Sequence, residues 1–208
     1  MANEKAVITH PQTGYDNEGV IARGLSHLSG LEVLVLVNDW HQFENHPAYI
    51  AIKGLLANDG KSVVFSYDGR LKPEDAQEMV ESYESISLFG GCLNSCLSRT
   101  YRSIVDAFRN SQKNQLRVKF FLDGAYDDFI PFGGVLNLSE ILEEFVISGL
   151  EKGEALLFMV GSFLQYLEAG NDHKFNAQIY YNGKPIYENA IGSDKTVRID
   201  VFDRLPNK

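Results

Sequence analysis

The run Lys5-Ala6-Val7-Ile8, continued by Thr9-His10-Pro11-Gln12-Thr13-Gly14-Tyr15-Asp16-Asn17-Glu18 and reaching Leu31-Glu32-Val33-Leu34-Val35-Leu36-Val37, decides how this chain is read. An apolar strand leads into a polar loop, then into Val20, Ile21, Gly24, Leu25 and Leu28 at helical spacing, then into a second apolar strand. Asp16 or Asn17 is placed to cap the helix and Gly30 to end it. Strand, helix, strand in this order makes a parallel pair. Open α/β sheets bind ligands in the loops leaving the carboxyl ends of such strands, so chemistry is expected first in the loop after Ile8.

The same alternation continues outward. Strand-like runs fall at Ser62 to Ser66, Ile86 to Phe89, Leu116 to Leu122 and Ala155 to Val160, and most are continuously apolar. Strands buried on both faces have that composition, and helices of about 10–15 residues between them imply a parallel sheet. Pro47 and Pro73 suit the first turns of two helices, the former carrying Ile50, Leu55 and Leu56 inward. Another helix is expected from Ser95 to Asn110, with Cys96, Leu97, Ile104, Val105 and Phe108 buried. One more should begin near Ser139, with Ile141, Leu142, Phe145 and Val146 facing in. Alternating residues on either side of Asn182-Gly183 predict a hairpin, and Thr196 to Phe202 a further strand. The expected fold is α/β: an open, mostly parallel, Rossmann-like sheet with helices on both faces. It forms a single domain over 1–208, with a β-rich C-terminal section in which 173–208 is a hairpin extension.

Composition narrows the partners. A formal net charge of -9 argues against nucleic acid, whose phosphates are held by clustered Lys and Arg. No apolar run reaches the roughly 18 residues of a spanning helix, so no membrane partner is expected. The N-terminal residues show no basic segment followed by an apolar one, which makes cytoplasmic residence the expectation. Cys92 and Cys96 are read as reduced thiols on one helix face.

In the opening loop, Asp16 is the carboxylate best placed to hold a hard cation or activate water, with Gln12 and Asn17 as amide neighbours. Its plainer reading is a helix cap beside a glycine turn. The run from Lys5 through Thr13-Gly14-Tyr15-Asp16-Asn17 to Leu34 resembles the start of the inosine-uridine nucleoside hydrolases, whose first strand enters an Asp-x-Asp-Pro-Gly-x-Asp-Asp loop. Gly133-Gly134-Val135-Leu136-Asn137-Leu138-Ser139 is similar to that family's Gly-Pro-Leu-Thr-Asn turn, and Phe158-Met159-Val160-Gly161 to its Met-Gly-Gly strand end. Gly170-Asn171 and Lys174-Phe175-Asn176 resemble its Gly-Asn and Glu-Phe-Asn segments, and Val197 to Val201 its Leu-Asp-Val segment.

The resemblance implies a nucleoside or ribosyl ligand held by Gln12, Asn17, Gln42, Asn137 and Asn176. It also implies Ca²⁺ held by Asp16 and the main-chain carbonyl of Leu136. Gly14 and Asp16 match the family pattern, but the other loop aspartates fall at His10, Gln12 and Asn17, and amides neither neutralise a cation nor accept a proton. On this mapping Asp200 is not a metal ligand. Asn137 and Asn176 can equally serve as a helix N-cap and a turn residue.

Three other constellations stand out. Phe89-Gly90-Gly91-Cys92-Leu93-Asn94-Ser95-Cys96 resembles the nucleophile segment of isochorismatase-like cysteine hydrolases, with Cys96 as the thiol and Asp39 or Asp68 and Lys72 as its partners; the alternative is two buried small hydrophobes. His41, Glu44 and His46 lack the spacing of a zinc helix. Asp123, Asp127 and Asp128 follow a buried strand, as solvated loop acids or as carboxylates lent to a site. The expectation is a nucleoside-hydrolase-like protein with a degraded metal site, without cofactor or catalysis. It would act as a ligand-binding or interaction module, with a homo-oligomer or other protein assembly as a further partner. The alternatives are an active N-ribohydrolase with a rearranged Ca²⁺ site and a cysteine hydrolase built on Cys96.

Overall fold

The computed structural model describes residues 3–10, 28, 31–38, 63–129, 134–168 and 175–203. Its strands are β1 (Glu4–Thr9), β2 (Glu32–Val37), β3 (Val63–Phe65), β4 (Ser85–Gly90), β5 (Gln115–Phe121), β6 (Tyr126–Phe129), β7 (Gly134–Asn137), β8 (Asn176–Tyr181), β9 (Lys184–Asn189) and β10 (Thr196–Phe202). The helices are α1 (Pro73–Ser82), α2 (Ser98–Asn110), α3 (Leu138–Ile147), α4 (Lys152–Met159) and α5 (Gly161–Glu168), with a π turn at Leu93–Leu97 running into α2. The helix expected from Ser95 thus begins earlier.

Eight strands form one sheet in the order β3-β2-β1-β4-β5-β10-β8-β9, with β6 and β7 in a separate antiparallel pair. All neighbours in the large sheet are parallel except β8 and β9. The fold is α/β, an open Rossmann-like sheet.

Continuous apolar strands follow from its two buried faces. Val7, Leu34, Leu36, Leu88, Val118 and Phe120 join the larger core with residues of the five helices, whereas Ala6, Ile8, Val33, Val35, Val37, Phe89 and Phe121 meet Leu28 on the other side. Alternate side chains point oppositely along a strand, so every position in these runs is apolar. Phe89 and Phe121 stack at 4.9 Å across the second face.

Two expectations are corrected. Ala155 to Val160 is not a strand but belongs mainly to α4, which is opened by a reciprocal capping box between Glu151 and Glu154. Within it Ala155, Leu156 and Met159 are buried and Phe158 faces out, a helical pattern hidden in an unbroken apolar run. The strand end proposed at Phe158 to Gly161 goes with it. In α3, Ile141 and Leu142 are buried as expected, but Val146 is exposed.

The C-terminal strands extend the main sheet. β10 inserts between β5 and β8, parallel to both, and β9 closes the edge as the antiparallel partner of β8. The turn between β8 and β9 has Asn182 at φ 46 and Gly183 at φ 81, the two positive values a tight hairpin requires.

Candidate functional site at the carboxyl edge of the sheet

Strand order reverses at β1: β2 and β3 lie on one side of it, β4 and β5 on the other. The carboxyl ends of β1 and β4 stand side by side, Thr9 in register with Gly90, and open α/β sheets bind their ligands outside a reversal of this kind. His10 leaves β1 with φ 48 and is buried. Its backbone N–H donates to the Leu36 carbonyl at 2.9 Å, and its Nε2 lies 2.8 Å from the Ser66 carbonyl. A carbonyl only accepts, so the ring proton sits on Nε2. Burial lowers the His10 pKa below 6.5, against the raising pull of Ser66 and Asp68. The Thr100 hydroxyl donates to main-chain carbonyls of Gly69 and Cys96, which makes Thr9 the donor in their 3.0 Å hydroxyl pair.

β4 ends in a turn that only glycine fits. Gly90 and Gly91 have φ 66 and 69, and a Cβ on Gly90 would lie 2.6 Å from the Thr9 carbonyl oxygen. The turn delivers Cys92 to the start of the helical run, where its thiol donates to Asp127 Oδ1 at 2.8 Å. The Asn94 amide donates to Asp127 Oδ2. Asp127 is buried, so it is not the solvated loop acid that its neighbourhood suggested. Tyr126 ties the two strand ends together: its N–H meets the Gly91 carbonyl at 3.4 Å and its hydroxyl the His10 carbonyl at 3.5 Å. A cavity of about 30 Å³ opens beside Asn94 and Asp127, walled by Leu93, Leu138, Ile141, Phe158 and Met159. It has room for a water molecule.

The two cysteines differ. Cys96 is buried and its burial pushes the thiol pKa up, although the Cys92 N–H donates to its sulfur at 3.1 Å. Cys92 is half-buried. The nucleophile expected at Cys96 is therefore enclosed, and Cys92 is the more accessible thiol. Of the partners proposed for it, Asp68 pairs with Arg70 and Arg99 at 3.3 and 3.7 Å, and Lys72 is the N-cap residue of α1.

The remaining predicted site residues divide by place. Gln12, Asp16, Asn17 and Gln42 lie outside the described residues, as do Asp39, His41, Glu44 and His46. Asn137 is on the carboxyl side, where its Oδ1 accepts from the Ser139 N–H and its Nδ2 donates to the Asp123 carbonyl at 3.0 Å. Its own N–H donates to Glu140, completing a capping box. The N-cap reading of Asn137 therefore holds.

Leu136 stands in β7 in register with Asp127. Asn176 is corrected in position: it opens β8 at the amino edge, the opposite side of the sheet. There its Nδ2 donates to the Ser193 carbonyl and its Oδ1 accepts from the N–H groups of Ile191 and Ser193. Thr9, which ends β1, and His10 after it lie at the other edge. Asp200 is held by Arg117 and Arg198 at 2.5 and 2.9 Å.

Among the described residues no group of three or more His, Cys, Asp or Glu is arranged to hold a metal. Asp127, the acid beside Leu136, has both oxygens engaged by Cys92 and Asn94, so the described donors do not make a calcium site. The Cys92–Asn94–Asp127 group was missed in the sequence because its acid lies 35 residues from its thiol. Its local signals were the Gly-Gly pair before Cys92 and the acids after β5.

No family model matches the chain, and no curated protein matches it significantly. Among solved structures it is similar to one from Bacteroides thetaiotaomicron described as a putative epimerase, at 12% identity and a TM-score of 0.35, covering 87% of this chain and 70% of that one. So slight a likeness carries neither fold nor activity across. Among the described residues no helix is long and apolar enough to cross a membrane.

Proposed function

We propose that this chain binds a small polar ligand of the nucleoside or ribosyl class in the crevice above the carboxyl ends of β1 and β4, and leaves its N-ribosidic bond intact. The observation that carries the reading is the strand-order reversal at β1, which sets Thr9 and His10 beside the Gly90–Cys92 turn. The resemblance to nucleoside hydrolases supplies the ligand class. Loss of hydrolysis follows from the donor set: amides stand at Gln12 and Asn17, and His10, neutral with its proton on Nε2, replaces a carboxylate.

Calorimetric titration with inosine, uridine and ribose tests the proposal, alongside release of free base with and without Ca²⁺. Saturable binding without base release is expected. Turnover that disappears on chelation and in Asp16→Ala would instead establish the active hydrolase.

A second reading, a cysteine hydrolase, is favoured by one observation: the half-buried Cys92 thiol donates to the buried carboxylate of Asp127. In that reading Cys92 replaces Cys96 as nucleophile: Asp127 takes the thiol proton as sulfur adds to an amide carbonyl carbon and the C=O π pair moves to oxygen. Asp127 then returns that proton to the nitrogen as the C–N bond breaks and the amine leaves, and water later hydrolyses the thioester. Alkylation by iodoacetamide, mapped by mass spectrometry, should modify Cys92 before Cys96. Modification of Cys96 first would remove this reading.

A further inference from the structure

We infer that the hairpin of α3 and α4 is a docking surface for a basic amphipathic helix of another protein. Seven large hydrophobic side chains are more than a third exposed among the described residues, and Val146, Ile147, Leu150 and Phe158 of this hairpin are four of them. Ile147 is 78% exposed and Phe158 63%. Phe158 is held in place: its ring stands edge-on to Phe145 at 5.4 Å and walls the small cavity over Leu138 and Ile141. Apolar groups this prominent, on two packed helices, mark interaction sites more often than scattered single exposures do.

Charge selects the occupant. Glu140, Glu143, Glu144, Glu151 and Glu154 are exposed on the same two helices, against a single lysine, Lys152, whose ammonium is already paired with Asp203 at 3.4 Å. A second copy of the chain would bring the same acids against these, and anionic bilayers and nucleic acids would be repelled in the same way. A helix with apolar residues at i, i+3, i+4 and i+7 and Lys or Arg between them meets both features. Its apolar stripe covers the exposed side chains and its cations face the glutamates. This surface belongs to the helices, and the inference stands independently of the ligand reading.

The test uses the full chain and a fluorescent synthetic peptide of about 20 residues carrying Leu and Phe at helical spacing with Lys elsewhere, compared with one in which Glu replaces every Lys. Anisotropy should rise with the basic peptide and not with the acidic one. Ile147→Ser and Phe158→Ser should each weaken binding roughly tenfold, with circular dichroism confirming that both variants fold. The double variant Glu143→Gln, Glu144→Gln should weaken it severalfold and reduce its salt dependence. Equal binding of both peptides, indifference to Ile147→Ser, or no binding up to about 1 mM peptide would overturn the inference. So would self-association in sedimentation that Ile147→Ser abolishes, which would make the occupant a second copy.

Discussion

The two edges of the sheet use the same kinds of side chain to different ends. At the amino edge three polar side chains tie down main chain: Lys195 donates to the carbonyls of Phe108, Ser111 and Lys113 at 2.8–3.0 Å, Asn176 holds the loop from Ile191 to Ser193, and Lys113 caps the Tyr83 carbonyl. These cations and amides satisfy helix ends and loops that would otherwise leave carbonyls and N–H groups unpaired. At the carboxyl edge His10, Thr100 and Asn137 also reach main chain, but beside them side chains bond one another: thiol on carboxylate, amide on carboxylate, hydroxyl on hydroxyl. The Cys92–Asp127 pair holds two reactive groups together at a strand end, whereas Lys195 and Asn176 close helix ends and loops. An asparagine therefore signals a site only when its edge is known, and Asn176 is on the structural one.

The largest effect should come from Gly90→Ala. It places a side chain at φ 66 and a Cβ 2.6 Å from a backbone oxygen, and should cost roughly 3–4 kcal/mol in urea denaturation. A loss below about 1 kcal/mol would break the claim that the carboxyl edge depends on this turn. Lys195→Met removes three bonds to carbonyls and should cost roughly 2–3 kcal/mol while leaving inosine affinity unchanged. A change in affinity would show that the amino edge takes part in binding. Asn137→Ala breaks the cap of α3 and should cost about 1 kcal/mol.

The smallest effect is one of pH. His10 has a folded-state pKa below its unfolded 6.5, so its stabilising contribution is fully present above pH 6.5. It is lost as pH falls from there through the folded value, because the unfolded chain binds a proton that the folded chain does not. His10→Asn, which tolerates the left-handed backbone and can donate to Ser66, should flatten the stability–pH curve in that window. An unchanged curve would mean that His10 is not held neutral.

Much of the fold was legible because two-sided burial writes itself as continuous apolar runs, as in Val33 to Val37, and because Pro73 and Asn182-Gly183 mark a helix start and a hairpin. The same composition misled at Ala155 to Val160. An unbroken apolar run carries no period, and the deciding signal was the Glu151–Glu154 cap just upstream. The insertion of β10 between β5 and β8 leaves no local trace, since strand order is a long-range property. The side-chain pairing at the carboxyl edge was not legible. Residues after β1 could be named from topology, whereas the pairing of Cys92 with Asp127 arises only when β4 and β6 meet. Val146 was misread inward because apolar character alone does not distinguish a core face from an exposed one.

Hydrogen–deuterium exchange of the unmodified chain, with and without saturating inosine, tests the central claim most directly. Slower exchange is predicted at the backbone of Thr9, His10 and Gly90 to Asn94, with no change at Asn176, Asn182-Gly183 or Ile191 to Ser193. Protection confined to the amino-edge segments, or none at either edge under saturating ligand, would contradict it.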